Sequence, residues 1–333
     1  MTDQISPDGG SSNGGQAASF TKGVNDIQQN IARIIRGKDE AIRMTLVCML
    51  AEGHVLIEDV PGTGKTSLAK AISQSIDGSL RRIQFTPDLL PSDVTGVMIY
   101  DPGKREFNFR PGPIFANIVL ADEINRASPK TQSALLEVMA ERQVTIDSVP
   151  YLTSPPFFVV LATQNPVEHS GTYDLPEAQL DRFMMRITLG YPDHDEEMQV
   201  VGNAATGRTT DQLKPVMSAE QFGEMISVVQ KVHVSTAVLG YIVTICAATR
   251  TMDDLRLGVS PRGAVLVAQA AQALAATRGR AFVSPDDVKA VVPYVLPHRM
   301  IMRPEAELQG KSPNDLINEV MASVRPPQQR ASV

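Results

Sequence analysis

The sequence predicts an α/β fold in which helices flank a parallel β-sheet, followed by a small all-helical domain. Three observations support this prediction. A glycine-rich turn at residues 58–67 lies between an apolar run and a helical pattern. Up to about residue 190, strand-like apolar runs alternate with helical patterns, as parallel strands joined by helices do. Beyond that point helix-start signals are frequent and strand-like runs are few.

The chain accordingly divides into four segments. Residues 1–19 are polar and glycine-rich and are predicted to form a disordered tail, and residues 326–333 a flexible one. Residues 20–190 form the predicted α/β domain, and residues 191–325 the helical domain. Five strands are predicted, at 54–57, 82–85, 118–121, 157–163 and 184–189, with a β-hairpin formed by 143–146 and 151–152.

The helical domain contains three well-marked helix starts. Ser218, with Gln221 three residues later, forms a capping box. Ser260 and Ser284 each precede a proline, which is favoured in the first turn of a helix. These signals predict helices that begin near residues 219, 261 and 285.

The glycine-rich turn has the pattern of a phosphate-binding loop, or P-loop. A nucleoside triphosphate and its magnesium ion need backbone N–H groups at a helix N-terminus, an ammonium group and a hydroxyl group. Gly64, Lys65 and Thr66 supply these groups. The predicted nucleotide-binding residues of the loop are Gly62, Thr63, Gly64, Lys65, Thr66 and Ser67.

Asp59 departs from the general P-loop pattern, which has glycine at that position. The alternative is a glycine-rich turn that only caps a helix. Because Lys65 and Thr66 are both in register and an apolar helical stripe follows them, the P-loop is favoured.

A second motif lies at residues 118–123, where an apolar run ends in Asp122 and Glu123. A central parallel strand carries such acids to the carboxyl edge of the sheet. There Asp122 can hold magnesium, directly or through water, and Glu123 can polarise an attacking water molecule. The alternative is a strand end with solvated charges, which the P-loop upstream makes less favourable.

Three further residues are candidates for the site. Asn165 follows the strand at 157–163, which is expected to lie beside the strand ending at Asp122, so its amide can reach the γ-phosphate or the attacking water. Arg182 precedes the last predicted strand, and Arg262 opens a helix of the second domain. Each is also compatible with an ordinary turn or a surface charge.

The composition limits the classes of function. With 31 basic and 37 acidic residues, 5% aromatic residues and no Trp, nothing indicates a general nucleic-acid surface. Cys48 and Cys246 lie far apart in apolar helical patterns, which predicts buried thiols in a reducing compartment. No apolar run reaches the roughly 20 residues of a membrane helix, and the N-terminus lacks a signal-peptide pattern. We therefore expect a cytoplasmic protein without membrane insertion.

Four long blocks resemble the MoxR branch of the AAA+ ATPases, and the resemblance covers roughly residues 20–310. The blocks lie at 53–66, 84–96, 110–127 and 171–183. MoxR-like proteins also have Asp at the position of Asp59, whereas Asp174 stands where they often have proline. The resemblance implies an AAA+ α/β domain followed by a small all-helical lid domain, and hydrolysis of ATP with Mg²⁺.

The resemblance also implies roles for residues of the P-loop and the acidic strand end. Lys65 would bind the β- and γ-phosphates. Thr66 and Asp122 would hold magnesium, and Glu123 would activate the attacking water.

Three residues outside these motifs receive roles from the same resemblance. Asn165 would be sensor 1, Arg182 the arginine finger and Arg262 sensor 2 in the lid. The finger of AAA+ rings reaches into the neighbouring subunit, so hydrolysis would need a homo-oligomer, expected to be a hexameric ring. Whether Arg262 serves its own subunit or a neighbour is left open.

The family resemblance further implies protein partners. Relatives act as chaperone-like remodellers that mature or activate protein complexes, often through a separate protein with a von Willebrand factor A domain. Segments 86–112 and 143–156 match the helix 2 insertion and the hairpin before sensor 1, which face the client or the ring pore. Arg126, shared with the family, fits either a salt bridge within the subunit or a contact between subunits.

Three other functions use the same core. A nucleic-acid motor of the MCM-like type is disfavoured by the acidic charge balance and the lack of a basic recognition helix. The magnesium chelatase motor subunit shares the architecture, but the blocks at 122–127 and 171–173 favour MoxR. An ATP-dependent assembly switch with little turnover would need neither Glu123 nor Asn165.

Overall fold

The computed structural model describes residues 11–60, 62–153, 155–165, 173, 175–205 and 210–327. Residues 1–10 and 328–333 of the predicted tails lie outside the described residues, as do positions 171, 172 and 174 of the fourth MoxR-like block. Across the described residues, none of the helices has the length and apolar character needed to span a membrane.

In the described part of the chain, helices α1 (Ser11–Ala32) and α2 (Asp39–Leu50) precede the sheet. Helix α1 corrects the prediction of a disordered tail at 1–19, because residues 11–19 are helical. Phe20, Val24, Ile27 and Ile31 recur at helical spacing and are buried, which anchors the later turns of α1 to the core. Extending an existing helix is far easier than nucleating one, so the anchored helix continues back to Ser11.

The rest of the α/β domain alternates strands and helices. In chain order these are β1 (Val55–Glu58), α3 (Lys65–Ser75), β2 (Leu80–Gln84), α4 (Pro91–Thr95), β3 (Gly96–Asp101), β4 (Glu106–Pro111), β5 (Ile118–Asp122), α5 (Pro129–Glu141), β6 (Gln143–Ile146), β7 (Val149–Leu152), β8 (Val159–Gln164), α6 (Glu177–Leu180) and β9 (Met185–Ile187). All five strands predicted for the sheet are present, with small shifts at their ends.

The sheet has the strand order β2-β5-β8-β1-β9, and every adjacent pair is parallel. The predicted neighbour relation is confirmed, because β8 lies beside β5 and has β1 on its other side. In a parallel sheet the strand carboxyl ends share one edge, and ligands bind where the strand order reverses. The ends of β1, β5 and β8 therefore converge on one place.

Two antiparallel hairpins, β3–β4 and β6–β7, lie outside this sheet. The second confirms the predicted hairpin, while the first forms within the segment 86–112 and was not predicted as strands. Phe109 of β4 and Tyr151 of β7 stack with ring centroids 4.2 Å apart, so the hairpins pack against each other.

The C-terminal region is mainly helical. It contains α7 (His194–Ala205), α8 (Ala219–Val229), α9 (Thr236–Arg250), β10 (Leu255–Leu257), α10 (Pro261–Thr277), α11 (Pro285–Val295), β11 (Ile301–Met302), α12 (Pro304–Leu308) and α13 (Pro313–Ser323). The three predicted helix starts are confirmed at Ala219, Pro261 and Pro285. The prediction of an all-helical region is wrong in one detail, because β10 and β11 pair antiparallel. Strands this short carry no periodic signal in sequence.

Two apolar cores hold the layers together. One is continuous from α1, α2 and α3 across one face of the sheet to the helices α8–α11, and the other fills the opposite face beneath α5. Helix α10 packs against α1 and α2, and α11 against β9. The helical region thus lies on the side of the sheet that carries α1 and α2.

Candidate nucleotide site

The P-loop joins the end of β1 to the start of α3. Gly62 and Gly64 have φ angles of +86° and +89°, and Gly64 is the N-cap of α3. No atom within 4 Å would obstruct a Cβ at either position, so glycine is favoured here by backbone conformation and not by space. With this geometry the first N–H groups of α3 are available to bind an anion.

Lys65 is the first residue of α3, and its side chain folds back over the loop. Its Nζ donates to the carbonyl oxygens of Asp59 at 2.8 Å and Val60 at 3.0 Å. Burial lowers the pKa of the Lys65 ammonium, and nearby carboxylates, first Asp59 and then Asp122, oppose this shift. The cation is therefore held between the loop and the acidic strand end.

The carboxylate of Asp59 explains the departure from the general P-loop pattern. It is 5% exposed, and its Oδ1 accepts the N–H of Val60 at 2.8 Å. Its Oδ2 accepts the N–H groups of Leu189 at 2.9 Å and Gly190 at 2.7 Å. Asp59 thus links the start of the P-loop to the segment that follows β9, which a glycine could not do.

Asp122 ends β5 and is 8% exposed. Its Oδ1 accepts the hydroxyl of Thr163 at 2.6 Å, and its Oδ2 accepts Nε and Nη2 of Arg82 at 3.1 and 2.6 Å. Both oxygens of the predicted metal ligand therefore already contact a donor.

Glu123 has left-handed backbone angles, φ 55° and ψ 51°. Its N–H donates to the Thr163 hydroxyl at 2.9 Å, which stabilises this conformation. Its Oε2 accepts Gln84 Nε2 at 2.7 Å and Arg126 Nη1 at 3.1 Å. A non-glycine residue in this region costs energy, and such strain is common at functional sites.

The predicted residues of the P-loop and strand ends meet in one open pocket of about 340 Å³. Its lining residues are Gly62, Gly64, Lys65, Thr66, Ser67, Asp122, Glu123, Thr163 and Asn165. Thr63 lies in the same loop but is not among these residues, and its hydroxyl donates to the Val60 carbonyl at 3.2 Å.

Arg182 and Arg262 do not line this pocket. Arg182 is half-buried and donates to the carbonyl of Leu136 in α5. Arg262, at the start of α10, lies with its Nε 3.7 Å from Asp181 Oδ2 and is 49% exposed. Arg262 therefore lies beside Asp181, the residue that precedes Arg182 in sequence.

Arg126 was expected to form either a salt bridge within the subunit or a contact between subunits. Its Nη1 lies 3.1 Å from the Glu123 carboxylate of the same chain, so a salt bridge within the subunit exists.

Three residues of the site were missed from the sequence: Arg82, Gln84 and Thr163. Arg82 and Gln84 are two positions apart on β2, which pairs with β5, so their side chains share a face. Thr163 lies at the end of β8, level with the acidic end of β5. The location of these residues near the ends of predicted strands could have identified them, because polar side chains at the ends of neighbouring parallel strands gather at one edge of the sheet.

Comparison with known proteins identifies the family of this chain. A sequence profile described as "ATPase family associated with various cellular activities (AAA)" matches residues 54–185, and one described as "AAA lid domain" matches residues 247–320. The protein named Chaperone MoxR1 of Mycobacterium tuberculosis is 42% identical over 310 residues, which cover 90% of this chain and 81% of that protein. The chain belongs to the MoxR family of AAA+ ATPases.

Two further comparisons extend over nearly the whole chain. YeaC of Bacillus subtilis, described as uncharacterized, is 49% identical over 305 residues, covering 92% of this chain and 95% of that protein. A crystal structure of a candidate ATPase from Cytophaga hutchinsonii superposes with a TM-score of 0.88 and 37% identity, covering 94% and 98% of the two chains. The AAA+ fold and the lid that follows it are therefore established for this MoxR-family member.

Proposed function

We propose that this MoxR-family protein is a magnesium-dependent ATPase that works as a homo-oligomer to remodel protein complexes. One observation carries the proposal: Lys65, Asp122, Glu123 and Asn165, which come from three separate strand ends, line a single pocket. A phosphate-binding cation, a metal ligand, a base and an amide are the groups that ATP hydrolysis needs.

The first step is binding of the phosphates. The first residues of α3 line the pocket, and the free N–H groups of a helix N-terminus favour an anion there. Lys65 adds a full positive charge at the same place. Nucleotide binding should therefore depend strongly on Lys65.

Thr66 and Asp122 fit a magnesium site. Both line the pocket, and Asp122 already binds a cation, the Arg82 guanidinium. Magnesium prefers oxygen ligands and keeps several waters, so one hydroxyl, one carboxylate and phosphate oxygens are a sufficient donor set. When bound, the ion supplies positive charge that stabilises the transferring phosphoryl group.

Glu123 and Asn165 act on the attacking water in this proposal. The Glu123 carboxylate is the base, and Gln84 and Arg126 orient it through its Oε2. Asn165 lines the pocket one residue beyond the end of β8, where its amide can bind a phosphate oxygen or the water.

The remaining charge has to come from a second subunit. Arg182 and Arg262 lie outside their own pocket, and Arg262 is near Asp181, the residue before Arg182. We propose that both reach the neighbouring subunit's nucleotide in a ring, expected to be a hexamer. Hydrolysis would then require assembly.

Protein clients are supported by the hairpins. Phe107 on β4 and Leu152 on β7 are 64% and 73% exposed, and Leu90 before α4 is 59% exposed. Exposed large apolar side chains on hairpins that pack against each other support a protein-binding role for this region. We further propose that the protein is cytoplasmic and acts with a separate partner that has a von Willebrand factor A domain. We do not expect nucleic acid to be its substrate.

The test is steady-state ATP hydrolysis with magnesium as a function of protein concentration. We expect specific activity to rise and then reach a plateau, since sites are completed between subunits. Lys65→Ala should remove the activity, whereas Lys130→Ala, which changes an exposed lysine at the start of α5, should keep it. Activity that survives Lys65→Ala would contradict the assigned site.

A further inference from the structure

Arg82 contacts the carboxylate that is proposed to bind magnesium. Its Nε and Nη2 lie 3.1 and 2.6 Å from Asp122 Oδ2, while Asp122 Oδ1 accepts the Thr163 hydroxyl at 2.6 Å. The Asp122 side chain is 11% exposed, and that of Arg82 is 52% exposed. The carboxylate is therefore enclosed, and the guanidinium approaches it from the solvent side.

The sheet register explains why Arg82 reaches this position. In the parallel pairing of β2 with β5, Arg82 lies opposite Leu120 and Gln84 opposite Asp122. Because side chains alternate along a strand, Arg82 and Gln84 share one face of β2, and Ile83 is buried on the other. Gln84 Oε1 accepts Arg82 Nη2 at 2.8 Å, which orients the guanidinium toward Asp122.

The Arg82 guanidinium and a divalent cation compete for Asp122 Oδ2, so binding of one weakens binding of the other. Two donated hydrogen bonds fill the lone pairs of that oxygen, and charge-assisted bonds of this kind are among the stronger ones in proteins. Two cations within a few ångströms also repel each other, most strongly where the site is partly desolvated.

We propose that Arg82 is an internal counter-cation of Asp122 that magnesium must displace. Before the metal binds, Arg82 prevents Asp122 from being an unpaired, nearly buried carboxylate. When metal and nucleotide arrive, Arg82 is the competitor, so it weakens metal binding and is released into solvent. This inference rests on the proposed assignment of Asp122 as a metal ligand.

The test is the affinity of the nucleotide-bound protein for Mn²⁺, a spectroscopic substitute for Mg²⁺. Mn²⁺ is titrated into the full-length protein saturated with a non-hydrolysable ATP analogue, and free Mn²⁺ is read by electron paramagnetic resonance. Arg82→Ala and Arg82→Gln are compared with Arg81→Ala, which removes the neighbouring charge from the other face of β2. Circular dichroism checks the fold of each variant.

We expect both Arg82 variants to bind Mn²⁺ about three- to tenfold more tightly than the wild type, the range for losing a partly exposed competing ion pair. Arg81→Ala should bind Mn²⁺ as the wild type does. Arg82→Lys should give an intermediate affinity, because lysine keeps the charge but not the planar fork.

Equal or weaker Mn²⁺ affinity in Arg82→Ala and Arg82→Gln, with nucleotide still bound, would overturn the inference and leave the proposed ATPase intact. If the wild type binds neither the nucleotide analogue nor Mn²⁺, the proposed function itself fails. Should Arg82→Ala not fold, Arg82→Gln decides the matter alone, because it removes the charge but retains a polar side chain.

Discussion

The phosphate pocket is formed within a single chain, whereas Arg182 and Arg262 lie outside it. In the pocket, the P-loop and the ends of β5 and β8 bring their functional groups together within a single subunit. Arg182 and Arg262 instead lie outside it, one bound to the carbonyl of Leu136 and the other near Asp181. Under the proposed function, one chain would suffice to bind a nucleotide, whereas the two arginines would complete a neighbouring subunit's site.

The largest expected effect is that of Arg182→Ala. Loss of an arginine finger lowers turnover by about 10³- to 10⁵-fold, and ATP binding should remain because Arg182 does not line the pocket. Mixing Arg182→Ala with Glu123→Gln should restore part of the activity, since some sites then combine an intact base with an intact finger. The measurement is ATP hydrolysis of the mixture, with mixed assembly verified by differently tagged subunits. An inactive mixed ring would mean that the finger acts within its own subunit.

Glu123→Gln should reduce hydrolysis by about 10²- to 10⁴-fold, the usual contribution of a general base. The amide still fits the space but cannot take a proton from water. ATP affinity, measured with a fluorescent nucleotide, should stay near the wild-type value. Glu141→Gln, at the exposed end of α5, is the matched control and should hydrolyse ATP normally.

Arg262→Ala should lower turnover by about 10- to 100-fold, the cost of losing one or two hydrogen bonds to a charged group. Mixing Arg262→Ala with Glu123→Gln subunits tests whether Arg262 acts in its own subunit or in the neighbouring one. If Arg262 serves the neighbouring subunit, Glu123→Gln subunits should restore activity, as is expected for Arg182→Ala. If it serves its own subunit, every mixed site stays defective and no activity returns.

The smallest effect is expected for Thr163→Val, at about tenfold in turnover. Valine has the shape of threonine but removes the hydroxyl that donates to Asp122 and accepts the N–H of Glu123. The strained backbone of Glu123 loses its partner, so both acids should be less well oriented. Thr163→Ser keeps the hydroxyl and should retain most of the activity in the same assay.

Sequence reasoning located most of the pocket because its motifs are local. Lys65 and Thr66 follow the glycine turn directly, and Asp122 and Glu123 end an apolar strand, so residue order alone brings the key groups into register. The position of Asn165 needed one further step, the expected neighbour relation of two strands. The observed pairing of β8 with β5 confirms that relation.

The errors arise where distant contacts decide local structure. Residues 11–19 are polar and glycine-rich, yet they are helical because Phe20 and Val24 anchor the turns that follow. The short strands β10 and β11 form only because the chain returns to pair them, as Leu255 does with Met302. Neither feature has a periodic signal of its own.

The sequence by itself determined the chemical groups of the site, the fold class and the family, since these depend on short motifs in a characteristic order. Only the tertiary structure decided what surrounds those groups. Arg82 and Thr163 reach Asp122 across separations of 40 and 41 residues, and Asp59 reaches Leu189 across 130. Strand register and side-chain alternation create these contacts, and both are properties of the assembled sheet.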